Sequence, residues 1–263
     1  MKRRIDSFHK ELVILTHDAF RKHANIVRLL LYDLVEDGDD VFTPALVIER
    51  AHYGTLTTSL KQETISESEK LDICWDVTSA LFILHKHGVV HGDVKPDNIL
   101  IFQSSAEEKG RYTAKITDFG SSIFVGQAKR VRYLDTKITN ALETIDQSES
   151  NAISSNIFPH CDEYSFDLLF LFIVAEEWKD IWLTKDKNVL DKALTFIRTS
   201  TLSEMVRLRL CSALRLLLQW DPRNRCADLS TSLNILKPYK LDGMTSQRYV
   251  SYKLVFSLST AVQ

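Results

Sequence analysis

The feature that most constrains this chain is a pair of polar motifs placed next to short apolar segments. The first motif is His91-Gly92-Asp93-Val94-Lys95-Pro96-Asp97-Asn98, and the second is Asp118-Phe119-Gly120. Between them, residues 99–102 and 114–117 predict the two strands of a hairpin with a polar connection. Polar groups at strand ends are held in the open by a rigid scaffold, and binding or catalytic residues concentrate there.

The segment ahead of the first motif predicts a long amphipathic helix. From Ser66 to His87, side chains of one stripe recur at three- and four-residue spacing, which is the helical period. The stripe consists of Leu71, Cys74, Trp75, Thr78, Leu81, Phe82 and His85. Gly88 ends the helix pattern, and Val89-Val90 then predicts a short buried strand that leads into the motif.

Composition fits one soluble globular protein of 263 residues with 44% hydrophobic and 26% charged residues. A net charge of −2 gives no case for a nucleic acid or an anionic membrane as partner. The longest apolar run, residues 166–175, is too short to span a bilayer, and residues 1–6 lack the apolar segment of a signal peptide. Four scattered cysteines without a Cys-x-x-Cys motif predict reduced structural thiols in an intracellular, cytoplasmic protein.

The two motifs resemble those of the eukaryotic protein kinase superfamily, with Gly92 where the family usually has Arg. The resemblance implies an α+β, kinase-like two-lobe fold and the transfer of a phosphoryl group from ATP with Mg²⁺. It also implies that Asp93 orients the attacking hydroxyl and that Lys95 lies near the γ-phosphate. Asn98 and Asp118 would ligate magnesium, and Asn98 would also belong to the nucleotide site.

The sequence after Asp118 resembles the rest of a kinase large lobe. Residues 135–143 correspond to the activation segment, although the family's Gly and Pro are missing from it. In the central helix that begins near residue 161, the resemblance gives one Asp the task of accepting hydrogen bonds from the catalytic loop. The residues expected to support the site are Glu11, His91, Thr136, Glu143, Asp162 and Arg225. Arg225 is the expected ion-pair partner of Glu143, for which a solvated loop carboxylate is the alternative.

The sequence before residue 56 resembles only part of a kinase small lobe. Residues 8–15 resemble its helix, with Glu11 at the position of the helix glutamate, and residues 23–30 resemble the turn and strand after it. The Gly-rich loop and the strand lysine that grip the phosphates are not found before Glu11. The sheet is then predicted to have two strands, near residues 28–35 and 42–48, and two strands alone are marginally stable.

Residues 45–51 are predicted to form a buried strand that leads into the hinge between the lobes. Ile48 takes the position of the residue that guards the nucleotide pocket in the family. The backbones of Glu49 and Ala51 are the expected contacts of the adenine ring.

Three explanations of the short small lobe remain: a fragment or mis-started gene product, a degenerate kinase, and a lobe completed by a partner. The first two are favoured equally over the third. Gly92 has no side chain that could pair with a phosphate on the activation segment, so control by phosphorylation there is not expected. Lys95, two residues after Asp93, is the pattern of serine/threonine kinases, and Thr136 agrees with it.

The sequence therefore predicts one kinase-like domain at residues 1–240 and a tail at 241–263 with no assigned role. Within the domain, residues 1–48 form a partial small lobe, 49–55 the hinge and 56–240 the large lobe. The predicted function is a protein serine/threonine kinase that uses ATP and Mg²⁺ on a protein substrate. The alternative is a pseudokinase that acts as an interaction scaffold. The oligomeric state stays open.

Overall fold

The computed structural model of the protein describes residues 2–36, 42–104, 111–126, 158–175, 188–225 and 229–237. Its helices are α1 (Lys2–Thr16), α2 (Leu56–Gln62), α3 (Glu67–Lys86), α4 (Phe158–Val174), α5 (Val189–Thr199), α6 (Glu204–Leu217) and α7 (Leu229–Leu236). Its strands are β1 (Leu29–Glu36), β2 (Phe42–Ile48), β3 (Val89–Val90), β4 (Ile99–Gln103), β5 (Tyr112–Ile116) and β6 (Ile123–Phe124). Short 3₁₀ turns occupy Pro96–Asn98 and Pro222–Asn224.

Helix α3 confirms the helix predicted between Ser66 and His87. Ser66 caps its N-terminus: its hydroxyl accepts the Glu69 N–H, and the Glu69 carboxylate accepts the Ser66 N–H at 2.9 Å. Gly88 follows with a φ of +70°, a conformation that glycine adopts without strain. The buried face is wider than the predicted stripe, because it also includes Ile73, Val77, Ala80 and Leu84. Trp75 and Phe82, which the stripe included, are only half-buried.

The predicted hairpin after the first motif is confirmed by β4 and β5. The two strands pair antiparallel, with Ile99 opposite Ile116 and Gln103 opposite Tyr112. Helix α3 lies against this hairpin, and the Asp76 carboxylate accepts the Ala114 N–H at 2.8 Å. Strand β3 is confirmed too, and it pairs with β6. The first polar motif thus lies between β3 and β4, and the second lies between β5 and β6, so the paired strands hold both motifs.

Strands β1 and β2 form a separate antiparallel pair with Leu29 opposite Ile48. Their bounds agree with the two strands predicted for the small lobe. The expectation of a buried strand at residues 45–51 is wrong, because the strand ends at Ile48 and its residues are at most half-buried. Within the described ranges the sheet has only two strands, so much of each strand stays in contact with solvent.

Helix α4 is the centre of the helical part, and almost all its side chains are buried. It begins at Phe158, three residues before the segment in which the sequence predicted a helix start. Helices α3 and α6 pack on it. No described helix has the length and apolar character that crossing a bilayer requires. The cysteines in the described part of the chain, Cys74, Cys161 and Cys211, carry free thiols.

Candidate active site

Asp162, on the first turns of α4, holds the backbone of the first motif. Its Oδ2 accepts the His91 N–H at 2.7 Å, and its Oδ1 accepts the Gly92 N–H at 2.9 Å. Nε2 of His85, on α3, lies 2.9 Å from the same Oδ2. All these groups are buried or nearly so, and therefore the hydrogen bonds are shielded from competing water. Asp162 thus fixes where the motif leaves strand β3.

His91 joins the two motifs to each other. Its Nε2 lies 3.0 Å from the Thr117 carbonyl, which directly precedes the second motif. Its ring meets the Phe119 ring edge-on, with 5.3 Å between centroids. The Asp93 N–H donates to Nδ1 at 3.2 Å, so this imidazole contacts the backbone of both loops. Because the side chain is fully buried, His91 serves as an internal spacer between the motifs.

The Asp93 carboxylate has two oxygens in different situations. Oδ2 accepts hydrogen bonds from Nζ of Lys95 at 2.6 Å and from the Asn98 amide at 2.9 Å. The Asn98 amide also donates to the Asp93 carbonyl at 2.9 Å, which fixes the turn between the two residues. Oδ1 is buried and has no hydrogen-bond partner within the described part of the structure. The carboxylate is thus oriented through one oxygen and available through the other.

Asp118 has a φ of +64°, a conformation uncommon for a residue with a side chain. Such conformations persist where the surroundings impose them, and they concentrate at functional sites. Here the neighbouring Thr117 N–H donates to the Asn98 carbonyl at 3.0 Å, while the Gly120 N–H donates to Oδ1 of Asp118 at 3.3 Å. The exposed Asp118 carboxylate is therefore anchored beside the first motif.

The donors available for a hard cation are the Asp118 carboxylate and the Asn98 side-chain oxygen. The Asn98 side-chain nitrogen donates hydrogen bonds to the Asp93 carbonyl and carboxylate, so the side-chain oxygen of Asn98 is the atom left to act as a ligand. Oxygen donors of this kind suit magnesium, which keeps several water or phosphate ligands of its own. Among the described residues, no group of three or more His, Cys, Asp or Glu side chains could hold a metal by itself.

Glu11, on α1, lies close to the second motif. A side chain added at Gly120 would overlap the Ser7 hydroxyl and come within 3.3 Å of the Glu11 carboxylate and 3.4 Å of the Asp118 carboxylate. Burial, and secondarily the charge of Asp118, raises the pKa of Glu11 to about 7, although a hydrogen bond with Ser7 opposes the shift. Helix α1 therefore brings a carboxyl group beside the carboxylate of the second motif.

The predicted hinge residues lie between the β1–β2 hairpin and α2. The Glu49 carboxylate accepts the Arg28 N–H at 2.8 Å and Nζ of Lys115 at 2.6 Å, which ties the hinge to β5. The Glu49 N–H donates to the Arg28 carbonyl at 3.0 Å, leaving its own carbonyl for another donor. Ile48 is half-buried against the core, and Ala51 forms no backbone hydrogen bond within the described residues.

Arg225 is buried and donates to backbone carbonyls near the ends of α4 and α6. The acceptors are the carbonyls of Gln219, Trp220 and His160, at 2.9 to 3.3 Å. Its guanidinium also stacks over the Tyr164 ring at 4.7 Å. Thr136 and Glu143 lie outside the described residues, so the expected ion pair between Glu143 and Arg225 stays a prediction.

The protein kinase domain family matches residues 1–230, which is most of the chain. The chain belongs to this family. It is 31% identical over 158 residues to the probable serine/threonine-protein kinase fhkB of Dictyostelium discoideum, with 59% of this chain and 13% of that protein covered. It is 38% identical over 101 residues to a calcium and calcium/calmodulin-dependent serine/threonine-protein kinase of Lilium longiflorum, covering 38% and 18%. The chain thus spans less than a fifth of each of these two relatives.

A kinase structure shows the same fold. The crystal structure of the Rad53 kinase domain and SCD2 matches 92% of this chain and 82% of that chain, with a TM-score of 0.59 and 25% identity. The predicted α+β kinase fold is therefore confirmed. The boundaries predicted for the lobes, the hinge and the tail stay predictions.

Gly92 has a second property that its identity did not reveal. Its φ is +79°, so a side chain at this position of the kinase loop would be strained in the present backbone. The sequence also missed the roles of Ser7, Thr117 and His85. His85 was predicted to belong to the apolar stripe of α3, whereas its imidazole contacts Asp162. The signal in the sequence was a histidine among apolar helix residues, which indicates a buried polar group that needs a hydrogen-bond partner.

Proposed function

We propose that this kinase-family chain transfers the γ-phosphate of ATP to a serine or threonine hydroxyl of a protein. The observation that carries the proposal is the Asp93 carboxylate, which Lys95 and Asn98 hold through Oδ2 while the buried Oδ1 keeps a free acceptor position. Such an oxygen can accept a hydrogen bond from the hydroxyl group of a substrate. Desolvation makes an unmet acceptor costly, and a substrate hydroxyl would remove that cost.

In the proposed reaction, Oδ1 of Asp93 accepts a hydrogen bond from the substrate hydroxyl and orients its oxygen toward the γ-phosphorus. The new O–P bond forms as the bond from the γ-phosphorus to the β-phosphate oxygen breaks, which releases ADP. The hydroxyl proton passes to Asp93. The Lys95 ammonium lies beside the same carboxylate and would offset charge on the transferred group.

Other residues would hold the nucleotide. Asp118 and Asn98 would hold Mg²⁺, which supplies neutralisation of the phosphate charge when it is bound. The Glu49 carbonyl and the Ala51 backbone would meet the adenine edge, and Ile48 would face the ring. The serine/threonine assignment is supported by Lys95 and by the two relatives, both of which are named serine/threonine-protein kinases.

A second function, a scaffold that transfers no phosphate, is favoured by the surroundings of Glu11. Among the described side chains, no lysine or arginine forms an ion pair with Glu11, and the neighbouring charge that raises its pKa is that of Asp118. Two acidic groups at this point would repel the phosphates of a nucleotide. This arrangement would not prevent the binding of a protein partner elsewhere.

The test is phosphate transfer from labelled ATP with Mg²⁺ to serine and threonine peptides, comparing Asp93→Asn with Asp97→Asn. Asp97 belongs to the same loop, but its carboxylate is exposed and accepts a hydrogen bond from the Thr57 hydroxyl at 2.7 Å. We expect Asp93→Asn to lower the rate by about 10² to 10⁴, the usual contribution of a general base, and Asp97→Asn to leave it nearly unchanged. A folded wild-type protein without transfer would instead support the scaffold.

A further inference from the structure

Strand β1 is exposed along nearly its whole length although its residues are mostly apolar. The large side chains concerned are half or more exposed, at 50% to 62%, and they are Leu30, Leu31, Tyr32, Leu34 and Val35. Successive residues of a strand point to opposite faces of a sheet. Both faces of β1 therefore present apolar surface to solvent. Exposed apolar patches on soluble proteins mark sites of interaction with other molecules.

The same strand carries acidic charge and no basic charge. Asp33 and Glu36 are exposed on β1, and the sequence that joins β1 to β2 adds Asp37, Asp39 and Asp40. Residues 29–48 contain no Lys or Arg, whereas the whole chain is nearly balanced with 33 basic and 35 acidic residues. Acidic residues are thus concentrated in residues 29–48 of the sequence, and two of them, Asp33 and Glu36, are exposed on β1.

The outer edge of β1 is open to another strand. Among the described residues the sheet consists of β1 and β2 alone, so β1 has no strand on its other side. Strand β2 is half-buried and contacts α1, whereas seven of the eight β1 residues are exposed. One edge group is already satisfied locally, because the Leu34 N–H donates to the Asp33 carboxylate at 2.7 Å. An exposed edge of this length is a template for a further strand.

We propose that the β1 edge is a docking site for an extended segment of a partner protein in which Lys or Arg alternates with apolar residues. The segment adds to the sheet as a third strand next to β1. Backbone hydrogen bonds supply affinity, and the side chains of the added strand supply specificity. Its apolar residues cover Tyr32 and Leu34 on one face of the sheet, and its basic residues lie on the other face beside Asp33. Glu36, at the end of β1, adds its negative charge to the attraction.

Charge also decides against a second copy of the chain as the occupant. Two β1 strands placed side by side would bring Asp33 and Glu36 of each copy into one small sheet, where like charges close together are destabilising. A basic strand converts the same two carboxylates into attractive partners. The site is separate from the residues proposed for phosphate transfer, so either proposal stands if the other fails.

The probe is a capped nine-residue peptide of alternating Lys and Val, a length that matches the eight residues of β1. Its binding to the full chain is measured by fluorescence anisotropy, with an alternating Glu and Val peptide as the control. We expect the basic peptide to bind, the acidic peptide to bind at least about tenfold more weakly, and added salt to weaken the difference. Hydrogen exchange should show new protection at residues 29–36 only with the basic peptide.

Charge reversal on the protein gives the matched test. Asp33→Lys/Glu36→Lys should weaken the basic peptide by about tenfold and strengthen the acidic one, since exposed attractive pairs become repulsive. The control, Asp18→Lys/Glu204→Lys, makes the same charge change at exposed positions elsewhere and should leave the preference unchanged. Equal binding of both peptides, or equal loss in both double variants, overturns the proposal.

Two further outcomes identify a different occupant and also overturn it. The first is a dimer in sedimentation equilibrium that dissociates in Leu34→Lys, which would make a second copy the occupant. The second is peptide binding that requires prior deletion of residues 241–263, which would make that segment the occupant. The peptide comparison needs no variant, so it decides the proposal even if a double variant fails to fold.

Discussion

Within the described part of the chain, the hairpins β1–β2 and β4–β5 have the same pairing but opposite surroundings. Hairpin β4–β5 lies against α3, and most of its side chains are buried or half-buried. Hairpin β1–β2 has longer strands, yet β1 is exposed on both faces. Antiparallel pairing alone adds little stability, and apolar burial adds most of it. The buried hairpin can therefore position a site, while the exposed hairpin presents the surface for which we propose a docking role.

The largest expected difference between the hairpins is in amide hydrogen exchange. The Ile101, Ala114 and Ile116 amides of the buried hairpin donate to acceptors at 2.8 to 2.9 Å in other segments. We expect them to exchange at least about a thousandfold more slowly than the amides of Tyr32 and Val35, because opening β1 exposes little additional apolar area. Mass spectrometry of exchanged peptides measures this. Similar protection of both hairpins would show that β1 is covered in solution.

Truncation of one leucine in each environment comes next. Leu81 on α3 is fully buried, whereas Leu34 on β1 is 62% exposed. Leu81→Ala should lower the free energy of unfolding by about 4 kcal/mol through lost burial and the cavity that remains. Leu34→Ala should change it by less than about 0.5 kcal/mol. Urea unfolding followed by circular dichroism gives both values, and equal losses would contradict the comparison.

Two aspartates with equally short hydrogen bonds provide the third test. Asp162 accepts the His91 N–H at 2.7 Å in the interior, and Asp33 accepts the Leu34 N–H at 2.7 Å on the surface. Asp162→Ala should cost about 3 kcal/mol of stability, because buried N–H groups lose their acceptor. Asp33→Ala should cost less than about 0.5 kcal/mol, because water replaces the carboxylate. A large loss for Asp33→Ala would mean that water does not reach β1.

The smallest effect concerns Glu11 and depends on pH. Its pKa is raised from 4.5 to about 7, so the folded chain binds this proton more tightly than the unfolded chain. Stability should therefore fall as pH rises from about 4.5 to about 7 and stay lower above that range. Glu11→Gln should remove this fall and be more stable than wild type by roughly 1 kcal/mol at pH 8, a discounted value because water partly screens the group.

Thermal unfolding at pH 5 and pH 8 measures that difference. Glu36→Gln, an equivalent change on the exposed hairpin, is the control and should leave the wild-type difference between the two pH values unchanged. If Glu11→Gln shows the same difference in stability between pH 5 and pH 8 as the wild type, the carboxyl group of Glu11 is not held beside Asp118.

Local signals in the sequence were sufficient for the elements around the site. Ser66, Glu69 and Gly88 act within a few residues of the ends of α3, so a pattern of neighbours could place that helix. The same holds for the short strands, whose runs of apolar residues are local. The residues of the first motif also meet because a single turn, from Asp93 to Asn98, brings them together.

Contacts between distant segments could not be predicted in this way. The proximity of Glu11 to Asp118 depends on how α1 packs, and the link from His85 to Asp162 joins residues far apart in the chain. The burial predicted for β2 was wrong for the same reason, since burial depends on what else covers a strand. Family resemblance gave roles to residues, whereas the partners of each residue required the structure.

The fully buried thiol of Cys74 gives the molecule a built-in reporter. Burial raises the pKa of the Cys74 thiol well above its usual range, so the group stays protonated and is a poor nucleophile while helix α3 is packed. Alkylating reagents and oxidants act on the thiolate, and they can reach it only when the surrounding core opens. The rate at which the Cys74 sulfur is modified therefore measures how often the core around α3 opens.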